Sequence, residues 1–292
     1  MLKTLLLLLT FLLGIILHDA YTYSFLIKYL LMVMLFFSFI EIDLKERVPK
    51  RKILVLIAAN ILIALGVYVI LKPFDPSLAM IAFLTAIAPT ATAAPVVTHF
   101  MKGKVHFVAL CVLFSNIVIA LILPFIFLLL DLDQNQRQLS VGSMLMSVII
   151  VILIPLGLAI MVQRSNKIKK TLLPFKSMAF IAWLLLLFLA SAKVTHFITQ
   201  SIALSLPYML SIAFLTLIIC ILNFYLGRVL GGRDLRKESS QALGHKNTML
   251  IIWICLTYLN PVYALGPMLY IVWHNVYNTY QISKISIRQA KA

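Results

Sequence analysis

Long apolar runs follow one another along almost the whole chain, and each is about as long as the ~20 residues an α-helix needs to cross a hydrocarbon core. About ten runs meet that criterion, near residues 2–17, 22–40, 53–71, 76–100, 105–130, 141–162, 175–193, 204–227, 239–259 and 264–282. In hydrocarbon every backbone N–H and C=O must be satisfied within the protein, so a chain with this pattern is restricted to a bundle of helices. Hydrophobic residues make up 63% of the sequence and charged residues only 12%. No connection between runs has room for a soluble domain. The expected fold class is an all-α polytopic membrane protein.

A net charge of +16 would suggest a nucleic-acid partner in a soluble protein. Here its distribution argues otherwise. Lys45, Arg47, Lys50, Arg51 and Lys52 follow the second run, Lys102 and Lys104 the fourth, and Arg164, Lys167, Lys169, Lys170 and Lys176 the sixth. Arg228, Arg233, Arg236 and Lys237 follow the eighth run, and Lys284, Arg288 and Lys291 the tenth. The intervening connections, around Asp19, Lys72 to Asp75, Asp131 to Arg137, Lys193 and Asn260, are poor in cations. The positive-inside rule then puts both termini in the cytoplasm of a plasma (inner) membrane. Anionic membrane lipid is an expected partner of the basic side, and nucleic acid is not. The first run, with Lys3 ahead of a Leu-rich stretch, also has the form of a secretory signal. The residues after it, His18-Asp19-Ala20-Tyr21-Thr22-Tyr23, offer no small-x-small cleavage site. Retention is expected.

Ten runs divide into two sets of five, residues 1–138 and 139–292, and an odd number per set makes the second enter the membrane from the opposite side. The repeats are therefore expected to be inverted. The fourth run of one set and the fourth of the other are both interrupted, at Ala88-Pro89-Thr90-Ala91-Thr92-Ala93-Ala94-Pro95 and at Gly244-His245-Lys246-Asn247-Thr248. Breaks of this kind free backbone groups in the membrane, and paired discontinuous helices build the sites of many secondary transporters. Singly, Pro89, Pro95 and Gly244 could merely kink ordinary helices; matched positions argue against coincidence.

Other chemistry finds little support. Cys111, Cys220 and Cys255 lie inside apolar runs without metal-ligand spacing, which suits buried small hydrophobes. Phosphate-binding loops, His-Glu-x-x-His and paired intramembrane carboxylates are missing, so neither a cofactor nor a metal is expected. An intramembrane enzyme built on His245, Lys246 and nearby hydroxyls is the competing class, and it lacks a nucleophile–base pattern. None of the nine acidic residues falls in the middle of a run; Asp234 and Glu238 read as a cytoplasmic loop. Lys246 and His245 are thus the main ionisable candidates at the breaks, with His99 and His274 nearer the ends of their runs.

The two interruptions also carry a family resemblance. Ala88-Pro-x-x-Thr-Ala followed by Lys102-Gly103, then Gly244-x-x-Asn247-Thr248, then Val272-Trp273-His274-Asn275, together resemble motifs of the bile acid:sodium symporter family. The resemblance implies a ten-helix fold with panel and core domains, the core holding crossed helices, and alternating-access transport of organic anions, from bile-acid-like amphipaths to small carboxylates. Thr92, Asn247 and Asn275 match the family's substrate contacts, where hydroxyl, amide and half-helix N–H groups suit a carboxylate. Each is singly compatible with a helix-stabilising role.

The sodium positions depart from the family. Its Ser-Asn pair becomes Ala94-Pro95, two hydroxyl residues of the next run become Val108 and Val112, its acidic residue becomes Ala242, and its Gln becomes Lys246. Asn60 stands near another amide ligand of the family. Sodium wants several oxygen ligands and is repelled by an ammonium beside them. The expectation is a transporter without sodium coupling, in which Lys246 supplies the missing positive charge; the conventional sodium-coupled symporter is the alternative. A lysine at the bilayer centre costs about 2.5–3.5 kcal/mol on insertion scales. Its place inside the second break argues against snorkelling to the interface, while a plug on half-helix carbonyls is compatible with a functional role. A proton or an exchanged counter-anion is the remaining partner for coupling.

Overall fold

A computed structural model describes residues 2–42, 48–130, 141–201 and 204–290. Lys45, Arg47, the connection from Asp131 to Arg137, the boundary between residues 138 and 139, and Lys291 lie outside the described residues. All described regular structure is helical. In chain order the helices are α1 (Leu2–Ile16), α2 (Ile27–Ile40), α3 (Lys50–Leu71), α4 (Pro76–Ile87), α5 (Ala94–Phe100), α6 (Val105–Leu129) and α7 (Val141–Gln163). They continue with α8 (Asn166–Leu172), α9 (Ser177–Ser201), α10 (Leu206–Gly231), α11 (Arg236–Gly244), α12 (Thr248–Tyr258) and α13 (Leu265–Ala290).

Six helical stretches among the described residues are long and apolar enough to cross a membrane, the first formed by a 3-10 segment from His18 that leads into α2. The protein is an integral membrane protein. The remaining apolar runs fall short of that measure for separate local reasons. Helix α1 has 15 residues. Helices α4 and α12 are the apolar arms of interrupted helices. Helix α13 carries polar residues through its length.

Helix α3 shows why composition alone identifies the class. Ile53, Leu56, Ile57, Ala64 and Tyr68 are buried along one face, yet Leu54, Leu62, Val69 and Ile70 on the opposite side are exposed. An apolar stripe that size would be untenable in water and is the ordinary outer face of a helix in lipid.

Helix starts follow local chemistry. The Asp75 carboxylate accepts from the Leu78 N–H at 2.9 Å and Pro76 occupies the first turn, so α4 begins there. Ser205 caps α10 in the same way, accepting from Tyr208 N–H. Pro95 does not break α5 but opens it, since a first-turn residue has no intrahelical use for its N–H.

The described chain forms two compact units. One comprises Met1–Ile42, Asn116–Ala203 and Ile252–Val262. In it α1 packs on α9, and α2 packs on both α7 and α9; the Gln163 amide donates to the Phe39 and Ile42 carbonyls at the end of α2, at 2.7 and 2.8 Å.

The other unit comprises Asp43–Ser115, Leu204–Ile251 and Tyr263–Ala292. There α3 packs on α4, α10 on α11, α4 on α10 and α13, and α11 on α3 and α5. Close approach between helices depends on small residues. A side chain on Gly227 would meet the backbone of Ser239 and Ser240, and one on Gly244 would land on the Phe224 ring. Glycine therefore lets α11 lie directly against α10. Each sequence half contributes to both units, so compactness and sequence order divide the molecule differently.

Candidate functional site

Both interruptions seen in the sequence are real gaps in helical structure, and they meet within the second unit. Helix α4 ends at Ile87 and α5 starts at Ala94; α11 ends at Gly244 and α12 starts at Thr248. The two gaps run antiparallel and pair through their backbones. Ala91 N–H donates to His245 O and Asn247 N–H donates to Pro89 O, both at 2.7 Å, around a bridge between Thr90 and Lys246. Two backbone donors freed by the breaks thereby find acceptors across the crossing, which is what burial in hydrocarbon demands.

Side chains repeat that exchange. Lys246 reaches Ala86, one helical turn before Thr90, and donates to its carbonyl at 2.8 Å. Thr90 reaches Ala242, one turn before Lys246, and donates to its carbonyl at 2.6 Å. The crossing thus has an approximate two-fold arrangement in its bonds, broken in its chemistry: a cation on one side faces a neutral hydroxyl on the other.

Asn60 completes the charged side. Its Oδ1 accepts from Lys246 Nζ, and its Nδ2 donates to Ile87 O at 2.9 Å and Ala88 O at 3.3 Å. Ala86, Ile87 and Ala88 form the carboxyl end of α4, where unpaired carbonyls and the helix dipole concentrate partial negative charge. An ammonium and an amide cover that end, with Lys246 only 2% exposed and Asn60 5%. On the neutral side Tyr270 hydroxyl donates to Gly244 O at 2.8 Å, covering the end of α11. Thr90 N–H donates to Ser115 Oγ at 3.0 Å, which anchors the first gap to α6.

The residues singled out from the sequence are distributed around this centre. Lys246 and Asn60 are brought into direct contact, and the lysine points to buried carbonyls rather than to an interface. His245 is buried on another side, its ring meeting that of His274 with centroids 4.6 Å apart. Asn247 is buried beside the bridge, and Thr92 is half-buried just before α5. Asn275 is half-buried on α13 and donates its amide to Ile271 O, 2.7 Å away in its own helix. His99 is exposed on α5. Val108 and Val112 are buried without a side-chain oxygen, and Ala242 offers only the carbonyl that Thr90 engages.

One expectation needs correction. Glu238 is not in a loop; it lies in the first turn of α11, 6% exposed, and accepts from the Lys104 N–H at 2.7 Å. A carboxylate near a helix N-terminus is favoured by the dipole, and the amide of a tight turn rewards its burial. Sequence reasoning also passed over Thr90, Ser115 and Tyr270. Thr90 sat inside the quoted interruption, but nothing local distinguishes it from Thr92; Ser115 and Tyr270 reach the crossing from other helices.

No family model and no curated protein matches the chain.

Proposed function

We propose that the protein is a secondary transporter of organic anions, either bile-acid-like amphipaths or small carboxylates, working by alternating access. The observation that carries this reading is the backbone pairing of two interrupted helices, Ala91 to His245 and Asn247 to Pro89. Four helix ends converge there, two amino ends suited to an anion and two carboxyl ends suited to a cation.

The finer architecture is part of the proposal: ten spans in two inverted five-helix repeats, residues 1–138 and 139–292, with both termini cytoplasmic. Packing supports it. Under exchange of the halves, the α1–α9 contact corresponds to α2–α7, α3–α4 to α10–α11, and α4–α10 to α3–α11. The unit holding the crossing corresponds to the core, the other to the panel. On this reading the chain is a divergent member of the bile acid:sodium symporter family.

Transport is proposed to be independent of sodium. Lys246 Nζ lies against Ala86 O and Asn60 Oδ1 at the negative end of α4, so a tethered cation takes the role that a bound ion would have. Thr92, Asn247 and Asn275 are the proposed substrate contacts. Because Lys246 does not travel with the substrate, its charge does not offset the membrane potential, and moving a monoanion inward costs about 2.3 kcal/mol per 100 mV. Uncoupled movement favours efflux; uptake requires a co-transported proton or an exchanged anion.

The test is purified protein in proteoliposomes, challenged with a panel of radiolabelled carboxylates. Accumulation of chemically unchanged substrate, driven by a proton gradient or by internal anion and indifferent to sodium, is expected. Chemical conversion of the substrate would favour the intramembrane enzyme, and sodium-driven accumulation the conventional symporter.

A further inference from the structure

Along α13 runs a row of polar side chains that substrate binding leaves unused. Tyr270, His274, Asn278 and Gln281 follow one another at about one-turn spacing and share one helix face. That face meets the second gap and α11. Tyr270 hydroxyl bonds to Gly244 O, the His274 ring packs edge to face on His245, and Gln241 Nε2 donates to Asn278 Oδ1 at 2.9 Å and to Gln281 Oε1 at 2.7 Å. The row is continuous from the crossing to Gln281, which is half-buried, with Lys284 exposed one turn beyond.

Its interior is dry in protein contacts yet polar. Gln241 is fully buried, and His245, His274 and Asn278 are 5%, 3% and 4% exposed. Even so, Nδ1 of His245, Nδ1 of His274, Oε1 of Gln241 and Nδ2 of Asn278 have no protein partner. Native proteins leave very few such atoms unsatisfied, and ordered water is the usual partner where protein is not. Four of them lie in one continuous row that ends at the half-buried Gln281.

We propose that His245 and His274 form a proton-binding site beside the crossing, and that the row through Asn278, Gln241 and Gln281 is the hydrated path that loads it. A hydronium ion arriving along the row gives its proton to an unpartnered Nδ1 lone pair; water is left behind and one imidazolium is formed. The adjacent imidazole stabilises that charge as neighbour and alternative acceptor, while a second proton on the pair is opposed by like charge. Surrounding groups leave the pair as the acceptor. Helix α4 has no titratable side chain, α5 only the exposed His99, and α11 only Arg236, Lys237 and Glu238 in its first turn, the last engaged by Lys104 N–H. The other titratable groups near the pair are Tyr270 and Tyr277 on α13 and Cys220 on α10, and Lys246 is turned to α4. Use of this proton for uptake rests on the transport reading; the site and its path do not.

Nitrogen-15 NMR of histidine-labelled protein in lipid nanodiscs reads the proposal directly. The resonances of His245 and His274 are assigned by their loss in His245→Gln and His274→Gln. Expected are two imidazoles that change protonation together, as a single proton event, as the pH is lowered from about 8 to about 4, and whose exchange with water slows several-fold in Asn278→Leu. Imidazoles that stay neutral and unexchanged across that range overturn the site. Hydroxyl-radical footprinting of the unmodified protein needs no variant: labelling of Tyr270 and His274 by bound water is expected, and protection equal to that of the buried Phe83 overturns the path. A protein that binds this proton but accumulates no carboxylate refutes the transport reading alone.

Discussion

Lys246 lies in the second gap and Ala86 in the last turn of α4, just before the first, and the side-chain nitrogen of one meets the carbonyl of the other at 2.8 Å. The contact ties the second gap to the end of the first half-helix. It also brings the lysine side chain to the carboxyl end of α4, where unpaired carbonyls concentrate partial negative charge. Thr90 and Ala242 form the neutral counterpart at 2.6 Å.

Removing the ammonium should therefore destabilise the crossing. In Lys246→Met, Ala86 O and Asn60 Oδ1 each lose a buried donor, at roughly 1–3 kcal/mol per orphaned group. A melting temperature several degrees lower is expected in a thermal-shift assay. Thr90→Val orphans one neutral carbonyl and should cost less. An unchanged melting temperature in Lys246→Met would remove the charge from any structural role.

Sodium should matter little to the natural protein. Exchange of sodium for potassium or choline is expected to leave both melting temperature and uptake nearly unchanged, because the positions that the family resemblance assigns to ion ligands are Val108, Val112 and Ala242, which carry no side-chain oxygen. Saturable stabilisation specific to sodium would restore the conventional symporter.

Substrate affinity tests the anion site. Thr92→Val, Asn247→Leu and Asn275→Leu should each weaken binding of a verified carboxylate by more than about tenfold, since a buried hydrogen bond to a charged group is worth roughly 1.5–3 kcal/mol. Isothermal titration on folded variants measures it. If all three bind as tightly as the parent, the pocket lies elsewhere. For Asn275 the amide must leave Ile271 O to reach a ligand, which predicts the smallest of the three effects.

Packing at Gly244 gives an independent handle on the crossing. Gly244→Ala drives a methyl into the Phe224 ring, and overpacking of this kind costs typically about 1–3 kcal/mol. The double variant with Phe224→Leu should recover part of the loss in melting temperature. Absence of recovery would mean that the close approach of α10 and α11 does not depend on this pair.

Membrane class, helix content and the places of both interruptions were legible in the chain because they arise from local properties: run length, apolar composition, and Pro or Gly where helix bonding fails. Lys246 stood out for the same reason, a charge inside an apolar run. Burial of Glu238 was not legible, since it depends on the Lys104 amide arriving from a distant turn. Nor was the row on α13 found, although Tyr270, His274 and Asn278 fall at the helical repeat; of these only His274 stood out, as an ionisable residue nearer the end of its run.

What the sequence by itself determined is thus the inventory: a membrane-embedded helical chain, two gaps in apolar runs, and one lysine with no carboxylate beside it. Tertiary structure alone decided what those elements do to one another. Whether Lys246 faces lipid, an interface or the carbonyl end of α4 depends on helices far apart in the chain meeting at a few ångströms, and no local pattern encodes that distance. The same holds for His245, whose side chain turns to α13 while its neighbour turns to α4, because two backbone hydrogen bonds to the first gap hold the second in extended form.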